Sequence, residues 1–250
     1  MSSNSDFVFG RHAGLDFLKT QDPEKVNKVF LQKGVREDFA NQVYQLARKK
    51  HLIVQNVPKN KLDQLTDNGN HQGLVLAVSS FEYAVFDELL DKLESDGKEP
   101  FLLMLDSIED PHNLGSILRT CDATGVDGVI IPQRRASGLT SVVAKTSTGA
   151  IDYVPVARVN NLVQTTKILK DRGYWLFGTA MQGQDYRQWD AKGKTVLVIG
   201  NEGKGISPLL LKQMDQTLTI PMIGHVQSLN ASVATGVLLY QMFASRHQGK

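Results

Sequence analysis

The 250-residue chain has a single cysteine, Cys121, which excludes an internal disulfide framework and any cysteine-based zinc site. It has no apolar run near the roughly 18 residues that a membrane-spanning helix needs. Runs such as Phe101–Leu105 and Thr195–Ile199 are only strand-sized. Met1–Gly10 lacks a basic start followed by an apolar stretch, so no secretion signal and a cytoplasmic location are expected. Two nucleotide signatures are also missing: G-x-G-x-x-G after a strand, and the G-x-x-x-x-G-K-[ST] phosphate loop. Their absence counts against an ordinary dinucleotide-binding or P-loop protein. The net charge of +2 is too small to announce a nucleic-acid partner by itself.

What is present is an ordinary soluble composition, 41% apolar and 22% charged, over a length that allows one or two domains. Charge is unevenly spread. Residues 1–80 carry 11 Lys/Arg against 8 Asp/Glu, residues 81–99 carry 2 against 7, and residues 100–250 carry 15 against 11. The acidic segment coincides with a break in the strand pattern and reads as a connector between two mildly basic domains.

In the first block, Gly10–Lys19 reads as helix, Val26–Gln32 as strand and Glu37–Lys50 as helix, with Phe39, Val43 and Leu46 at helical spacing. His51–Val57 returns to strand, Pro58 opens a helix, Asn68-Gly69 marks a turn and Gly73–Ser79 is a last strand. Phe86, Leu89, Leu90 and Leu93 make an amphipathic connector helix ending at Gly97. From residue 100 the expected strands are Phe101–Leu105, Gly128–Ile131, Tyr153–Val156, Tyr174–Gly178, Thr195–Gly200 and Thr217–Pro221. Being short, apolar and separated by helix-length segments, they suit a parallel sheet covered on both faces. Ser228–His247 closes the chain as a helix. The fold class is therefore α/β.

Three polar segments follow apolar strands. Gly200-Asn201-Glu202-Gly203-Lys204-Gly205 is either a tight turn or a loop that grips a ligand at a strand's carboxyl end. In Asp110-Pro111-His112-Asn113-Leu114-Gly115, Asn113 is placed to cap a helix on which Ser116 and Arg119 share a face. A capped helix with a surface arginine would look the same. In Ile220-Pro221-Met222 and Ser228-Leu229-Asn230, Ser228 or Asn230 opens the last helix, as helix caps commonly do. Three such loops offering Asn, Glu, Arg and Ser make the convergence that a site needs.

Together these segments, in this order and spacing, resemble the three signature motifs of the SpoU (TrmH-like) RNA ribose 2′-O-methyltransferases of the SPOUT superfamily. The first block, with Phe9-Gly10-Arg11-His12 and His71-Gln72-Gly73, resembles that family's small ribosomal-protein-like RNA-binding domain. The resemblance implies a SPOUT domain with a deep trefoil knot at 100–250, an RNA-binding domain at 1–80 and the connector at 81–99. It further implies S-adenosylmethionine as cofactor, held by Gly200, Gly203, Gly205, Ile220 and Leu229, with no metal. The glycines suit a ligand gripped through backbone. Arg119 would be catalytic, Asn113, Ser228 and Asn230 would orient arginine and ribose, and Glu202 would position the loop or the arginine. RNA would meet Arg11, Arg48, Lys49 and Lys50, and the chain would pair as a homodimer.

The implied substrate is a guanosine ribose in 23S rRNA. A tRNA or another rRNA position, or a non-enzymatic ribosome-assembly protein with this fold, are the alternatives.

Overall fold

A computed structural model describes residues 6–21, 23–79, 81–225 and 228–247. The chain divides into two compact units: Met1–Glu82 with Gly138–Ser141, and Tyr83–Ser137 with Val142–Lys250.

The first unit runs β1 (Phe7–Phe9), α1 (Arg11–Thr20), β2 (Val26–Gln32), α2 (Glu37–Lys49), β3 (Val54–Val57), α3 (Lys59–Leu65) and β4 (Leu74–Val78). Its sheet has the order β1-β4-β2-β3, with only the β2–β3 pair parallel. Alternation along β2 and β4 sends Val29, Leu31, Leu74 and Leu76 to one face, where Leu15 and Leu18 of α1 and Phe39 and Val43 of α2 cover them. Phe30 and Val75 point to the other face, against Leu62 of α3.

The short edge strand β1 was not foreseen, since three residues carry too little alternation to read. The expected strand from His51 begins only at Val54. Residues 50–52 instead finish α2, with His51 left-handed at φ 55° and the Leu52 N–H donating to the Ala47 carbonyl.

The second unit runs α4 (Phe86–Ser95), β5 (Phe101–Leu105), α5 (Pro111–Thr124), β6 (Gly128–Pro132), α6 (Ser141–Ser147), β7 (Val156–Val159), α7 (Leu162–Asp171), β8 (Trp175–Asp185), β9 (Thr195–Ile199), α8 (Pro208–Leu211), β10 (Gln216–Thr219) and α9 (Ala231–Arg246). Six strands form one wholly parallel sheet, ordered β10-β8-β9-β5-β6-β7. Every residue of β5 and of β9 is buried, which is why both read as unbroken apolar runs.

Two strands differ most from expectation. Ala150–Asp152 form a 3-10 turn that leaves Tyr153 exposed, so the third strand starts at Val156 rather than Tyr153. β8 runs on to Asp185 because β10 pairs with it twice, Thr217 opposite Gly178 and Leu218 opposite Gln184, across a bulge.

The acidic stretch is more than a connector. Leu90 of α4 is wholly buried in the second unit's core with Leu102, Met104 and Leu169. Its acids serve that unit too: Asp91 and Glu94 accept from the Arg172 guanidinium at 2.6 and 3.3 Å.

Candidate functional site

The strand order reverses between β5 and β9: from β5 the chain proceeds outward to β6 and β7, and later strands fill the other side. In an open parallel sheet that point leaves a crevice at the carboxyl ends, where ligands bind. The loops after β5 and β9 meet there. Asp106 donates its N–H to the Ile199 carbonyl and its carboxylate accepts from Ser207 N, both at 2.8 Å. Asn201 clasps the loops, its amide donating to the Ser107 carbonyl at 3.2 Å while its Oδ1 accepts from Gly203 N and Lys204 N.

Gly200 sits at the tightest point. A Cβ there would lie 2.1 Å from the Gly205 carbonyl carbon and 2.2 Å from Ile206 N, so only glycine fits. Gly203 and Gly205 are exposed, and a Cβ on Gly205 would meet nothing within 4 Å. This loop therefore presents bare backbone to open space.

The polar side chains converge in one cluster. Asp110, not Asn113, caps α5, its Oδ1 accepting from His112 N at 2.8 Å with Pro111 in the first helical position. Asn113 thus lies within the first turn, buried, with its amide free to cross to other loops. Its Nδ2 donates to Glu202 Oε1 at 2.5 Å, and its Oδ1 accepts from Asn230 Nδ2 at 2.9 Å. Asn230 Nδ2 also reaches Glu202 Oε1 at 3.2 Å, and Ala231 N donates to the same oxygen at 3.3 Å.

Asn230 is the cap of α9, its Oδ1 accepting from Ser232 N at 2.9 Å. That fixes which end of its amide faces the cluster. Glu202 places its negative charge at the positive end of α9, a favourable position for a carboxylate.

The other expected residues stand apart. Arg119 is exposed on α5 and makes no hydrogen bond or ion pair among the described residues. Asn113, Glu202 and Asn230 therefore hold one another, and none of the three bonds Arg119. Ser228 is exposed and outside the cluster, Leu229 and Ile220 are half-buried, and Val226 and Gln227 lie outside the described residues. The loops after β9 and β10 do not follow neighbouring strands, since β8 lies between them. Asn230 is what brings the last loop back to the crevice.

In the first unit, the Arg11 guanidinium lies 4.4 Å over the Phe39 ring. Arg48 and Lys49 are exposed in the last turn of α2, and Lys50 donates its ammonium to the Gln21 carbonyl. No group of three or more His, Cys, Asp or Glu among the described residues is placed to hold a metal ion. No helix among them is long and apolar enough to cross a membrane.

Sequence reasoning assigned no role to Asn201, which lies in the quoted glycine loop, or to Asp106, which directly follows the strand Phe101–Leu105. A short polar residue directly after a buried strand is a weak signal of loop bracing, and nothing in spacing distinguishes it from a solvated turn.

The SpoU rRNA Methylase family matches residues 100–240, and the RNA 2'-O ribose methyltransferase substrate binding family matches residues 7–84. The chain is 46% identical over 248 residues to the TrmH family tRNA/rRNA methyltransferase YacO of Bacillus subtilis (strain 168), covering 99% of this chain and 98% of that protein. It is 48% identical over 241 residues to a TrmH family tRNA/rRNA methyltransferase of Staphylococcus aureus (strain MSSA476), covering 96% of each.

Among solved structures, the rRNA methyltransferase from Sinorhizobium meliloti, determined with AdoMet bound, superposes with a TM-score of 0.58 at 25% identity over 98% of this chain and 88% of that one. The A. aeolicus TrmH/SpoU tRNA modifying enzyme superposes with a TM-score of 0.56 at 31% identity, over 65% of this chain and 84% of that one. With both units matched and nearly half of all positions shared with full-length relatives, the chain belongs to the SpoU/TrmH family of RNA methyltransferases.

Proposed function

We propose that the protein transfers a methyl group from S-adenosylmethionine to a ribose 2′-hydroxyl of RNA, a guanosine in 23S rRNA. The carrying observation is the Asn113–Glu202–Asn230 network at the reversal of strand order, beside a glycine loop whose backbone faces open space. The solved S. meliloti relative with AdoMet bound supports the cofactor. The loop suits such a group: Asn201 pins it from below, and Gly203 and Gly205 leave its upper side bare. Gly200, Gly203, Gly205, Ile220 and Leu229 would hold it. When bound it supplies an electrophilic methyl on a sulfonium.

The ribose hydroxyl is a weak nucleophile until its proton is leaving, so a positive field at the developing alkoxide lowers the barrier. Arg119 can give that field. A guanidinium is a donor with no acceptor, which argues for charge stabilisation and phosphate holding over proton abstraction. Asn113, Glu202 and Asn230 hold the floor of the site rigid, and Ser228, exposed beside them in sequence, is free to meet the ribose.

Residues 1–82 would recognise RNA, with Arg11, Arg48 and Lys49 available to phosphates. Sparse aromatics favour contacts to RNA shape and backbone. Two copies would pair through the second unit, whose C-terminal segment we read as knotted.

The test is to map ribose 2′-O-methylation across the RNA of a deletion strain. Loss of one 23S rRNA guanosine methyl, restored by the wild-type gene, is the expected result. Loss of a tRNA methyl instead would favour the second reading, which the A. aeolicus relative supports as a tRNA modifying enzyme. No lost methyl at all would overturn both.

A further inference from the structure

The first unit contains a cavity of about 400 Å³ that the sequence did not announce, set between the first turns of α1 and α3, the end of β2 and the loop 68–73. Its walls are polar. Arg11 and Lys59 supply cations, and Asn68, Asn70 and Gln72 supply amides.

The loop that shapes it is held in unusual backbone. Asp67, Asn68 and Gln72 are all left-handed, at φ 51°, 61° and 49°. Gln72 adopts that conformation without being glycine, a cost that a structure retains where something else over-determines it. Its Oε1 accepts from Arg11 N at 2.9 Å, tying the loop to the start of α1. Gly73 follows at φ 87°, and a Cβ there would press on Val35 Cγ1 at 2.7 Å. Beneath them His71 is buried, its Nδ1 accepting from Gly73 N and its Nε2 facing Asp63 Oδ1, both at 3.0 Å. The histidine therefore carries its proton on Nε2 and braces the loop, and the one carboxylate on the wall is occupied.

The cations are not occupied. Arg11 rests on Phe39 with its Nε buried and unpartnered, and Lys59 is exposed without a partner among the described residues. Asn70 is likewise exposed and unpartnered, and Gln72 keeps its NH2 group free.

From this set we infer that the cavity receives a single unstacked ribonucleotide of the substrate RNA, its phosphate on Arg11 and Lys59 and its base edge on Asn70 and Gln72. Charge-assisted contacts fit phosphate, and amides presenting donor and acceptor side by side fit a base edge. A single splayed base reaches such a recess, whereas stacked duplex cannot. The pocket would thus select RNA that offers an unpaired nucleotide. The inference rests on the reading of the protein as an RNA methyltransferase.

The test uses the full-length protein and two fluorescently labelled RNAs, a hairpin with an unpaired loop and the same stem as a blunt duplex. Anisotropy titrations should show tighter binding to the hairpin. Asn70→Ala should weaken hairpin binding about tenfold, the scale of one lost base-edge contact, and change duplex binding less than twofold. Lys59→Ala should lower the slope of log affinity against log salt for the hairpin by about 0.7, one single-strand phosphate. Both side chains are exposed, so unchanged thermal melting should accompany both substitutions. A photoreactive uridine in the loop should crosslink to residues 68–73.

Equal affinity of wild type for the two RNAs, or equal losses for both with Asn70→Ala, would overturn the pocket. Methylation of a 23S rRNA fragment, measured in the same preparations, separates the two ideas. A methylated fragment with an insensitive Asn70→Ala variant removes the pocket alone. Selective hairpin binding without any methylation removes the proposed reaction and keeps the pocket.

Discussion

Arg119 and Tyr174 show how differently a polar group behaves when exposed or enclosed. Arg119 stands in solvent without a partner among the described residues, so its removal should cost little stability. Arg119→Ala is expected to keep S-adenosylmethionine affinity, measured by calorimetry with a chelator present, while single-turnover methylation falls by about 10²-fold or more. Arg119→Lys should rescue poorly, since an ammonium lacks the planar fork. A near-normal rate for Arg119→Ala would remove its assigned role.

Tyr174 is the enclosed case: its hydroxyl is buried without a partner, and burial, with Glu94 adding, pushes its pKa up to about 12. The folded protein then keeps a proton between about pH 10 and 12 that the unfolded chain has lost, so Tyr174's contribution is present below about pH 10 and disappears as pH rises to 12. Tyr174→Phe should be at least as stable as wild type at pH 7 and lose less stability between pH 10 and 11.5, by urea melts at each pH. A steeper alkaline loss in the variant would contradict this.

Local elements were legible where one physical signal acted alone. β2 and β5 were read to the residue because their apolar runs are bounded by polar or turn residues, and α5 ends at a left-handed Gly125 as a C-terminal cap should. Reading failed where signals competed. Asn113 looks like a cap, but Asp110 with Pro111 is the stronger start, and no local pattern shows that the displaced amide would cross to Glu202 and Asn230. Tyr153 has a strand former's side chain, yet it caps the end of a 3-10 turn that Gly149 opens. The bulge that lengthens β8 is set by its partner strand, which a one-dimensional reading does not contain.

Gly200 ties an element to the site. In Gly200→Ala the new methyl meets backbone at 2.1 and 2.2 Å, which cannot rotate away, so the loop must move. A loss of about 1–3 kcal/mol and a more than tenfold weaker cofactor affinity are expected. Gly203→Ala, whose Cβ meets only Asn201 Oδ1 at 3.5 Å, should melt within a degree or two of wild type. Equal melting of the two variants would show that the close approach is not rigid.

At the scale of the whole molecule, α9 has more apolar surface than its own unit covers. Leu238 and Met242 are buried, while Val233, Tyr240 and Phe243 are 52%, 57% and 39% exposed. A two-fold pair is the commonest way to cover such a face. Light scattering at micromolar concentration should give twice 27.6 kDa, and Tyr240→Glu should shift it towards one.

The division between units makes the last prediction, because the segment read as a connector lies within the second unit. Charge and the break in the strand pattern set residues 81–99 apart, but α4 is built into the second unit by apolar contacts that charge counting does not register. Leu90 is fully buried there, and Arg172 answers Asp91 and Glu94. Before it, Ala84 N donates to the Val156 carbonyl at 2.9 Å, adding a bridge beside β7.

A fragment beginning at Ser95 would lose that bridge and expose the core that α4 covers, at roughly 1.5–3 kcal/mol for each buried leucine removed. Leu89 and Leu90 are both buried, so the deficit is comparable to a sizeable share of a domain's net stability. A fragment beginning at Tyr83 keeps all of it. The Tyr83 fragment is therefore expected to melt cooperatively and bind S-adenosylmethionine while binding RNA more weakly than the full chain. The Ser95 fragment should aggregate or melt at least 10 °C lower. Circular dichroism melts and calorimetry on the two fragments decide the matter: equal melting temperatures would return α4 to the status of a linker.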